Sequence, residues 1–502
     1  KEAAIPLQEV HFVYDKDYSL CPFVPNNQGA TDNLKKGKLT LKEIYFTYQN
    51  SLKGKLSSYR FSYSDFDENY NHPYSLQSCD RWGNYKPNDP DFPNDDFPYS
   101  EQDREKADRY AASWSLTKIE LPSGGKIEVK YEADDYAFVQ DKRAMQMMEV
   151  SAIGLDDAHL NSTQLYKDGR ANNFIKVKLP VPVEDKAEFI NKYLRDNLND
   201  KMLTSIYFRF LVDVIGRKAG DIDTETENEF VSGYAEITGE CDVVGPKIDG
   251  KYTEAYIRLK EVSMEGGKDK DEANPIARTA WQMLRLNFSK ALHPGSGRSS
   301  PDDRSIKSKI KQLAQGIVGL FSEIKQTRNG VNHFMCANNY GQTAVLNGKS
   351  KIRLYSPNYS KIGGGSRVRH ILVNDEWKSM ADKDGTDNAT NASYGQEYSY
   401  TKVLEGSKTQ TNPEGIIISS GVAEYEPLIG NEENPLRQPL AYKVENWMIP
   451  DNSYYVETPV GESFYPSASV GYSEIKIKSI QPGSGYIKHE FYTARDFPVF
   501  TE

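Results

Sequence analysis

The sequence predicts a mainly β protein, made of antiparallel, hairpin-rich sheets with helical insertions. The clearest evidence is the stretch 114–140. There Ile127, Val129 and Tyr131 alternate with lysine and glutamate, and a Pro-Ser-Gly-Gly turn at 122–125 separates them from an earlier apolar strand. Alternation with a period of two on both sides of a turn is typical of a β-hairpin that has one apolar and one polar face.

Two further observations support this fold class. The stretch 470–492 repeats the same plan, with an alternating run, a Gln-Pro-Gly-Ser-Gly turn at 481–485 and a second run. The chain also contains 33 Tyr against 20 Phe and 5 Trp. Tyrosine suits half-exposed strands, because the ring packs while the hydroxyl stays in water.

The 502 residues are enough for roughly two to four domains. Composition shifts along the chain predict four segments. These are a hairpin-rich β domain at 1–150 that contains a long acidic loop at 66–100, a mixed strand and helix domain at 151–270, a helical insertion at 271–330, and a second hairpin-rich β domain at 331–502.

Several short stretches predict helices within this β-rich chain. A polar helix is expected from Glu101 to Ala112, an amphipathic one from Glu184 to Asn199, and another beginning at Pro275. The most regular apolar spacing predicts a further helix whose seam is Ile306, Ile310, Leu313, Ile317, Leu320 and Ile324. We expect this seam to cover a sheet face, with a coiled-coil contact as the alternative. Leu313→Asp should then lower the melting temperature, because a carboxylate is costly in an apolar seam.

The net charge of −10 and the pI near 5.5 argue against a nucleic-acid-binding protein, which normally has a basic face. No apolar run is long enough for a transmembrane helix. Four distant cysteines, Cys21, Cys79, Cys241 and Cys336, form no CxxC pair, so free thiols are favoured over disulfides. Because the chain starts at Lys1, we expect it to be a piece of something longer.

One acidic loop has a spacing compatible with a calcium site. Asp382, Asp384 and Asp387 place three carboxylates two and three residues apart, and calcium prefers such oxygen ligands. Asp89, Asp91, Asp95 and Asp96 form a weaker candidate set of the same kind. A solvated acidic loop is the alternative for both, and no other cofactor is expected.

Four aromatic residues in or near polar segments are candidates for ligand binding. Trp82, Tyr85, Trp377 and Tyr394 can stack on sugar rings if they are exposed. The alternative is that they anchor long loops through packing. The sequence thus indicates a possible glycan ligand, and it leaves both interpretations open.

No stretch carries an enzyme motif. Gly363-Gly-Gly-Ser366 lacks the lysine of a phosphate-binding loop and precedes a strand, so a turn or a close backbone contact is expected there. A Gly-x-Ser-x-Gly elbow is absent from any strand–helix junction. The seven histidines are scattered. We therefore expect a non-enzymatic chain.

Six motifs taken together resemble the large Rhs/YD-repeat-type surface proteins of Bacteroidetes. They are Val-His-Phe-Val-Tyr-Asp at 10–15, Gly-Lys-Leu-Thr-Leu-Lys at 37–42, Asp-Arg-Trp-Gly-Asn-Tyr at 80–85, Leu-Pro-Ser-Gly-Gly at 121–125, Val-Gly-Tyr-Ser at 470–473 and His-Glu-Phe-Tyr-Thr-Ala-Arg-Asp-Phe-Pro at 489–498. The resemblance implies sheets that curl into a shell within a very long secreted or cell-surface chain, and such shells enclose a toxin or act in adhesion. The sequence departs from the pattern in two ways, since regular Tyr-Asp repeats are few and the recognisable core and toxin end are lacking.

The resemblance and the lack of a catalytic motif predict a structural role. We expect a scaffold portion of a large extracellular or cell-surface β-shell protein, which encloses or presents a toxin or effector. Its partners would be proteins or the rest of its own chain. The alternatives are an adhesin or carbohydrate-binding module that uses exposed aromatics, and a glycan-active enzyme with two facing carboxylates.

Overall fold

The structure, a computed structural model, describes residues 6–25, 37–49, 51–63, 71–88, 99–196, 200–216, 228–263, 272–287, 335–336, 338–376, 392–408, 412–427, 431–436, 438–444, 452–458, 469–481 and 483–498. The chain divides into two compact units. Unit 1 comprises Lys1–Ala144, Tyr359–Asn431 and Val460–Glu502, and unit 2 comprises Met145–Asn358 and Glu432–Pro459. The four segments predicted along the linear sequence stay a prediction.

Unit 1 contains a nine-stranded sheet in which every neighbouring pair is antiparallel. In spatial order its strands are Gln8–Tyr14, Leu41–Tyr48, Tyr59–Tyr63, Leu116–Glu120, Lys126–Tyr136, Lys361–Asn374, Ser393–Ser399, Glu474–Ser479 and Tyr486–Glu490. The mainly β, antiparallel fold class predicted from the sequence is confirmed.

Both predicted hairpins lie in this sheet. In the first, Ile119 pairs with Ile127 across the Pro-Ser-Gly-Gly turn. In the second, Ile477 pairs with Ile487. The strand Lys126–Tyr136 then pairs with Lys361–Asn374, a partner more than 200 residues away in sequence.

The register places apolar side chains from all nine strands on one face of this sheet, which we call the apolar face. Its members include Val10, Phe12, Ile44, Phe46, Tyr59, Phe61, Ile119, Ile127, Val129, Tyr131, Val368, Ile371, Val373, Tyr394, Tyr398, Ile475, Ile477 and Ile487. None of these side chains is buried by the described residues, and Phe12 is 56% exposed. The opposite, polar face carries mostly Lys, Arg and Glu.

Smaller elements complete unit 1. The helix Arg104–Ala111 begins where the Asp103 side chain accepts a hydrogen bond from the Lys106 backbone N–H, so the predicted helix at 101–112 is confirmed in a shorter form. A four-stranded sheet has the order Val470–Tyr472, Gly421–Ala423, Phe138–Val139 and Lys142–Arg143, and Thr401–Val403 pairs with Ile417–Ser419. A short 3₁₀ helix spans Lys53–Leu56, and two others, Pro357–Tyr359 and Asn431–Glu433, lie where the chain passes from one unit to the other.

Unit 2 is built on a second antiparallel sheet. Its strands are, in order, Phe174–Val183, Lys251–Leu259, Asn228–Ile248, Ser205–Asp213, Lys351–Tyr355, Met145–Gly154 and Leu160–Ser162, and Thr343–Val345 also pairs with Ser205–Asp213. An additional pairing of Phe174–Val183 with Met145–Gly154 joins the first strand of this order to the last but one. Two-residue strands pair at Tyr166–Lys167 with Arg170–Ala171, Arg195–Asp196 with Lys201–Met202, and Val262–Ser263 with Glu272–Ala273, and Gln438–Val444 pairs with Asn452–Thr458.

The large apolar core lies in unit 2. It includes Met148, Phe208, Phe210 and Leu354, and the helix Pro275–Asn287 adds Trp281 to it. The methionines at 145, 147 and 148 are buried in a strand, as their apolar character predicts.

The helix predicted at Glu184–Asn199 is too long. The structure has an α-helix at Lys186–Phe189 and a π-helical turn at Ile190–Leu194, after which Arg195–Asp196 enters a strand pair. Pairing of Arg195–Asp196 with Lys201–Met202 replaces further helical turns there.

Three further expectations concern the apolar seam, the cysteines and membrane-spanning helices. The seam at 306–324 lies outside the described residues. The four cysteines are free thiols. The described helices are all too short or too polar to span a membrane.

Candidate functional site

Trp82, one of the predicted ligand-binding aromatics, is partly buried. The buried Asp80 carboxylate accepts hydrogen bonds from the backbone N–H of Trp82 at 2.9 Å and holds the turn around it. The indole meets Tyr136 edge-on at 6.0 Å. A Cβ built on Gly363 would lie 2.6 Å from the indole nitrogen, so the close backbone contact expected at this glycine is made by Trp82.

Tyr85 lies in an aromatic cluster of the same loop. Its ring stacks on His72 at 4.4 Å and meets Trp114 at 5.1 Å and Tyr110 at 5.8 Å. Burial raises the pKa of the Tyr85 hydroxyl to about 12. These contacts are those of a ring that anchors a loop.

The other predicted site residues are not brought together by the described structure. Tyr394 is half-exposed on the apolar face of the sheet. Trp377, Asp382, Asp384 and Asp387 lie outside the described residues, as do Asp89, Asp91, Asp95 and Asp96. In the part of the chain that is described, no group of three or more His, Cys, Asp or Glu side chains has the geometry to hold a metal ion.

A concave surface of unit 1 lies on the polar face of the nine-stranded sheet. Two cavities of about 510 and 730 Å³ adjoin there and share Lys476 and Tyr486 as lining residues. We call the two together the polar groove. It extends from the helix Arg104–Ala111, across the last strands of the sheet, to the segment that follows the edge strand Tyr486–Glu490.

An ion network lines part of the polar groove. The Arg367 guanidinium donates to Glu132 and to Asp135, both at 2.7 Å, and Arg104 also contacts the Asp135 carboxylate. The side chains of Arg367 and Asp135 are each only 10% exposed. Burial raises the pKa of the Asp135 carboxyl, but the charge of Arg367 and its hydrogen bond outweigh burial, so the net pKa lies below the usual value of 3.8.

Tyrosines complete this network. Arg367 donates to the Tyr472 hydroxyl at 2.9 Å, and Tyr472 donates to Asp134 at 2.5 Å. The Tyr400 ring lies 4.3 Å from the guanidinium carbon of Arg367, a cation–π contact. Burial raises the pKa of the Asp134 carboxyl and raises that of Tyr400 to about 12.

The rest of the groove is charged but self-neutralising. Glu474 bridges Lys476 and Lys488, each at 2.9 Å. Over its whole length the groove is lined by eight Asp or Glu and seven Lys or Arg side chains. Among the described residues, Arg369 and Lys478 have no carboxylate within ion-pairing distance. The acidic and basic lining side chains therefore nearly balance, and the groove has no strong net charge.

Exposed aromatic rings also line the groove. Tyr486, Phe491 and Tyr492 line it and are 62%, 53% and 83% exposed. Tyr486 is on the polar face, because it pairs with Lys478.

The groove is better suited to binding than to acid–base chemistry. Its most buried lining carboxylate, Asp135, is committed to two arginines and to a hydrogen bond from Ser419 at 2.7 Å. Glycoside hydrolysis needs one carboxyl that is held protonated opposite a second one. Asp134 has a raised pKa, but its Oδ1 is occupied by Tyr472.

Comparisons with known protein families, with curated proteins and with solved structures give no match. The groove and the apolar face must therefore be interpreted from their own chemistry.

Sequence reasoning missed the groove residues. Tyr486, Phe491 and Tyr492 belong to the predicted C-terminal hairpin and its flank, and their aromatic character was the available signal. Arg367 and Asp135 are 232 residues apart, and nothing in the local sequence pattern joins them.

Proposed function

We propose that this chain is a non-enzymatic structural portion of a large secreted or cell-surface β-protein of the Rhs-like kind, and that its nine-stranded sheet forms a wall that encloses or presents a toxin or effector. The observation that carries the proposal is the apolar face. Its side chains come from all nine strands, and each of those named above is half-buried or exposed.

Exposure of such a face to water is unfavourable. A sheet normally buries an apolar face against another layer, and soluble monomers rarely expose contiguous apolar patches larger than a few hundred Å². An apolar face that spans nine strands therefore calls for a cover of further polypeptide. In the proposal this cover is the rest of the parent chain or its enclosed cargo.

The edges of the sheet support the same role. In the described residues, Gln8–Tyr14 and Tyr486–Glu490 each have a strand partner on one side only. All five residues of Tyr486–Glu490 are exposed. Open edges allow further strands to join by main-chain hydrogen bonding, as the continuation of a larger sheet requires.

The test is to isolate the native protein from its source with an antibody against unit 1 and to measure its intact mass. We expect a polypeptide far heavier than 56.8 kDa, or a complex with a tightly held protein. Limited proteolysis of intact cells should release peptides of this chain if it is displayed on the surface. A free polypeptide of about 56.8 kDa without a bound protein, found inside cells, would refute the proposal.

A further inference from the structure

We propose that the polar groove of unit 1 is a binding site for an extended, neutral polysaccharide. The first argument is shape. Each of the two adjoining cavities, of about 510 and 730 Å³, falls in the usual size range of ligand sites. They adjoin through the shared lining residues Lys476 and Tyr486, an arrangement that suits several units of a linear polymer better than one compact molecule.

The second argument is the position of the aromatic rings. Tyr486, Phe491 and Tyr492 are mostly exposed and line the groove, although the polar face of the sheet carries mostly charged side chains. Tyr492 is held by an aromatic contact with Phe497 at 5.5 Å. Exposed, supported rings offer flat apolar area at a low entropic cost, and the C–H face of a sugar ring is a complementary surface.

The third argument is electrostatic. A ligand of high charge needs a groove with an excess of the opposite charge, whereas the eight acidic and seven basic lining side chains nearly cancel. Most of them already form pairs such as Lys476 with Glu474. A neutral polyol loses little on entering such a site, because its hydroxyl groups both donate to carboxylates and accept from Lys478 and Arg369.

Most of the charged side chains that line the groove lie on strands. Lys476 and Lys478 lie on the strand Glu474–Ser479, and Arg369 lies on Lys361–Asn374. Ser473 accepts a hydrogen bond from the Lys402 ammonium at 2.8 Å on the floor of the second cavity. Most of the charged lining is thus held on paired strands, which limits the ordering cost of binding.

The test is affinity electrophoresis of the 502-residue chain in native gels that contain mannan, xylan, mixed-linkage β-glucan, galactan or, as an acidic comparison, polygalacturonate. We expect retardation by at least one neutral polysaccharide, with little dependence on salt. The double variant Tyr486→Ala/Tyr492→Ala should weaken that retardation at least tenfold. Phe12→Ala, which removes a comparably exposed ring from the apolar face, should leave it unchanged.

Melting curves establish that each variant is folded. If the double variant unfolds, Tyr492→Ala alone replaces it, because this residue is 83% exposed and lies beyond the edge strand. Absence of retardation by every neutral polysaccharide would overturn the proposal. The proposal would also be overturned if polygalacturonate alone retarded the protein and salt abolished that retardation. A third refuting result is binding of reduced, carboxymethylated α-lactalbumin without binding of any polysaccharide, because it would assign the groove to unfolded peptide.

Discussion

Removing the guanidinium of Arg367 should destabilise unit 1 more than any other single charge change on the polar face. Arg367→Met keeps most of the side-chain length but leaves Glu132 and Asp135 without their shared cation, and it removes the donor to the Tyr472 hydroxyl. Breaking a buried ion pair by removing one partner costs about 3–5 kcal/mol. Because Arg104 and Ser419 remain on Asp135, we expect a loss of about 3 kcal/mol in the free energy of unfolding.

The assay is urea unfolding followed by tryptophan fluorescence, since Trp82 and Trp114 both belong to unit 1. Arg367→Lys should lose roughly 1–2 kcal/mol, because an ammonium keeps the charge but not the fork of donors. The matched control is Arg369→Met, two residues along the same strand. Arg369 is exposed and should change stability by less than about 0.5 kcal/mol.

A double-mutant cycle of Arg367→Met with Asp135→Asn should give a coupling energy of at least about 1 kcal/mol. Equal, small losses for Arg367→Met and Arg369→Met would show that the network contributes no more than a surface pair, and the reasoning would be refuted.

Three further predictions concern other parts of unit 1. Since the folded pKa of Asp135 lies below its ordinary value of 3.8, the stability from its carboxylate is complete above about pH 4 and is lost as pH falls through the folded pKa. The melting-temperature gap between wild type and Asp135→Asn should therefore persist at pH 5–7 and close in acid, and a gap independent of pH would contradict this. Gly363→Ala should cost about 1–3 kcal/mol in urea unfolding, because the added methyl meets the Trp82 indole; an unchanged midpoint would show that the indole moves freely. Because an exposed apolar face favours association, the isolated chain should self-associate at high concentration, and Phe12→Lys should reduce this in sedimentation velocity while it changes stability by under about 0.5 kcal/mol. A large loss of stability would mean that the apolar face is already covered.

Local patterns were sufficient for much of unit 1's secondary structure. Ile127, Val129 and Tyr131 share a face, as strict alternation predicts, and the Pro-Ser-Gly-Gly turn joins two paired strands. The period-two signal is strong because each strand has one apolar and one polar face. The same pattern could not show that the apolar face would stay unburied, since burial depends on what lies opposite.

Long-range pairing was beyond sequence reasoning. The alternation of the strand 126–136 does not specify that its partner is 361–374, because many strands of this chain would match its two faces equally well. The ion network follows from that pairing, as Arg367 lies directly opposite Glu132. The amphipathic helix predicted at 184–199 was too long because apolar spacing alone does not reveal where a strand pair will begin.

A β-bulge in the nine-stranded sheet lets one strand contribute to both of its faces. Along the strand Lys361–Asn374, Arg367 pairs with Glu132 and Ile371 pairs with Val129, but the register shifts by one residue between Val368 and His370. Without that bulge, the period of two would place Ile371 on the same face as Arg367. The extra residue lets the strand supply a guanidinium to the polar groove and a branched apolar side chain to the apolar face. The bulge at this position therefore allows one strand to contribute side chains both to the apolar face and to the polar groove.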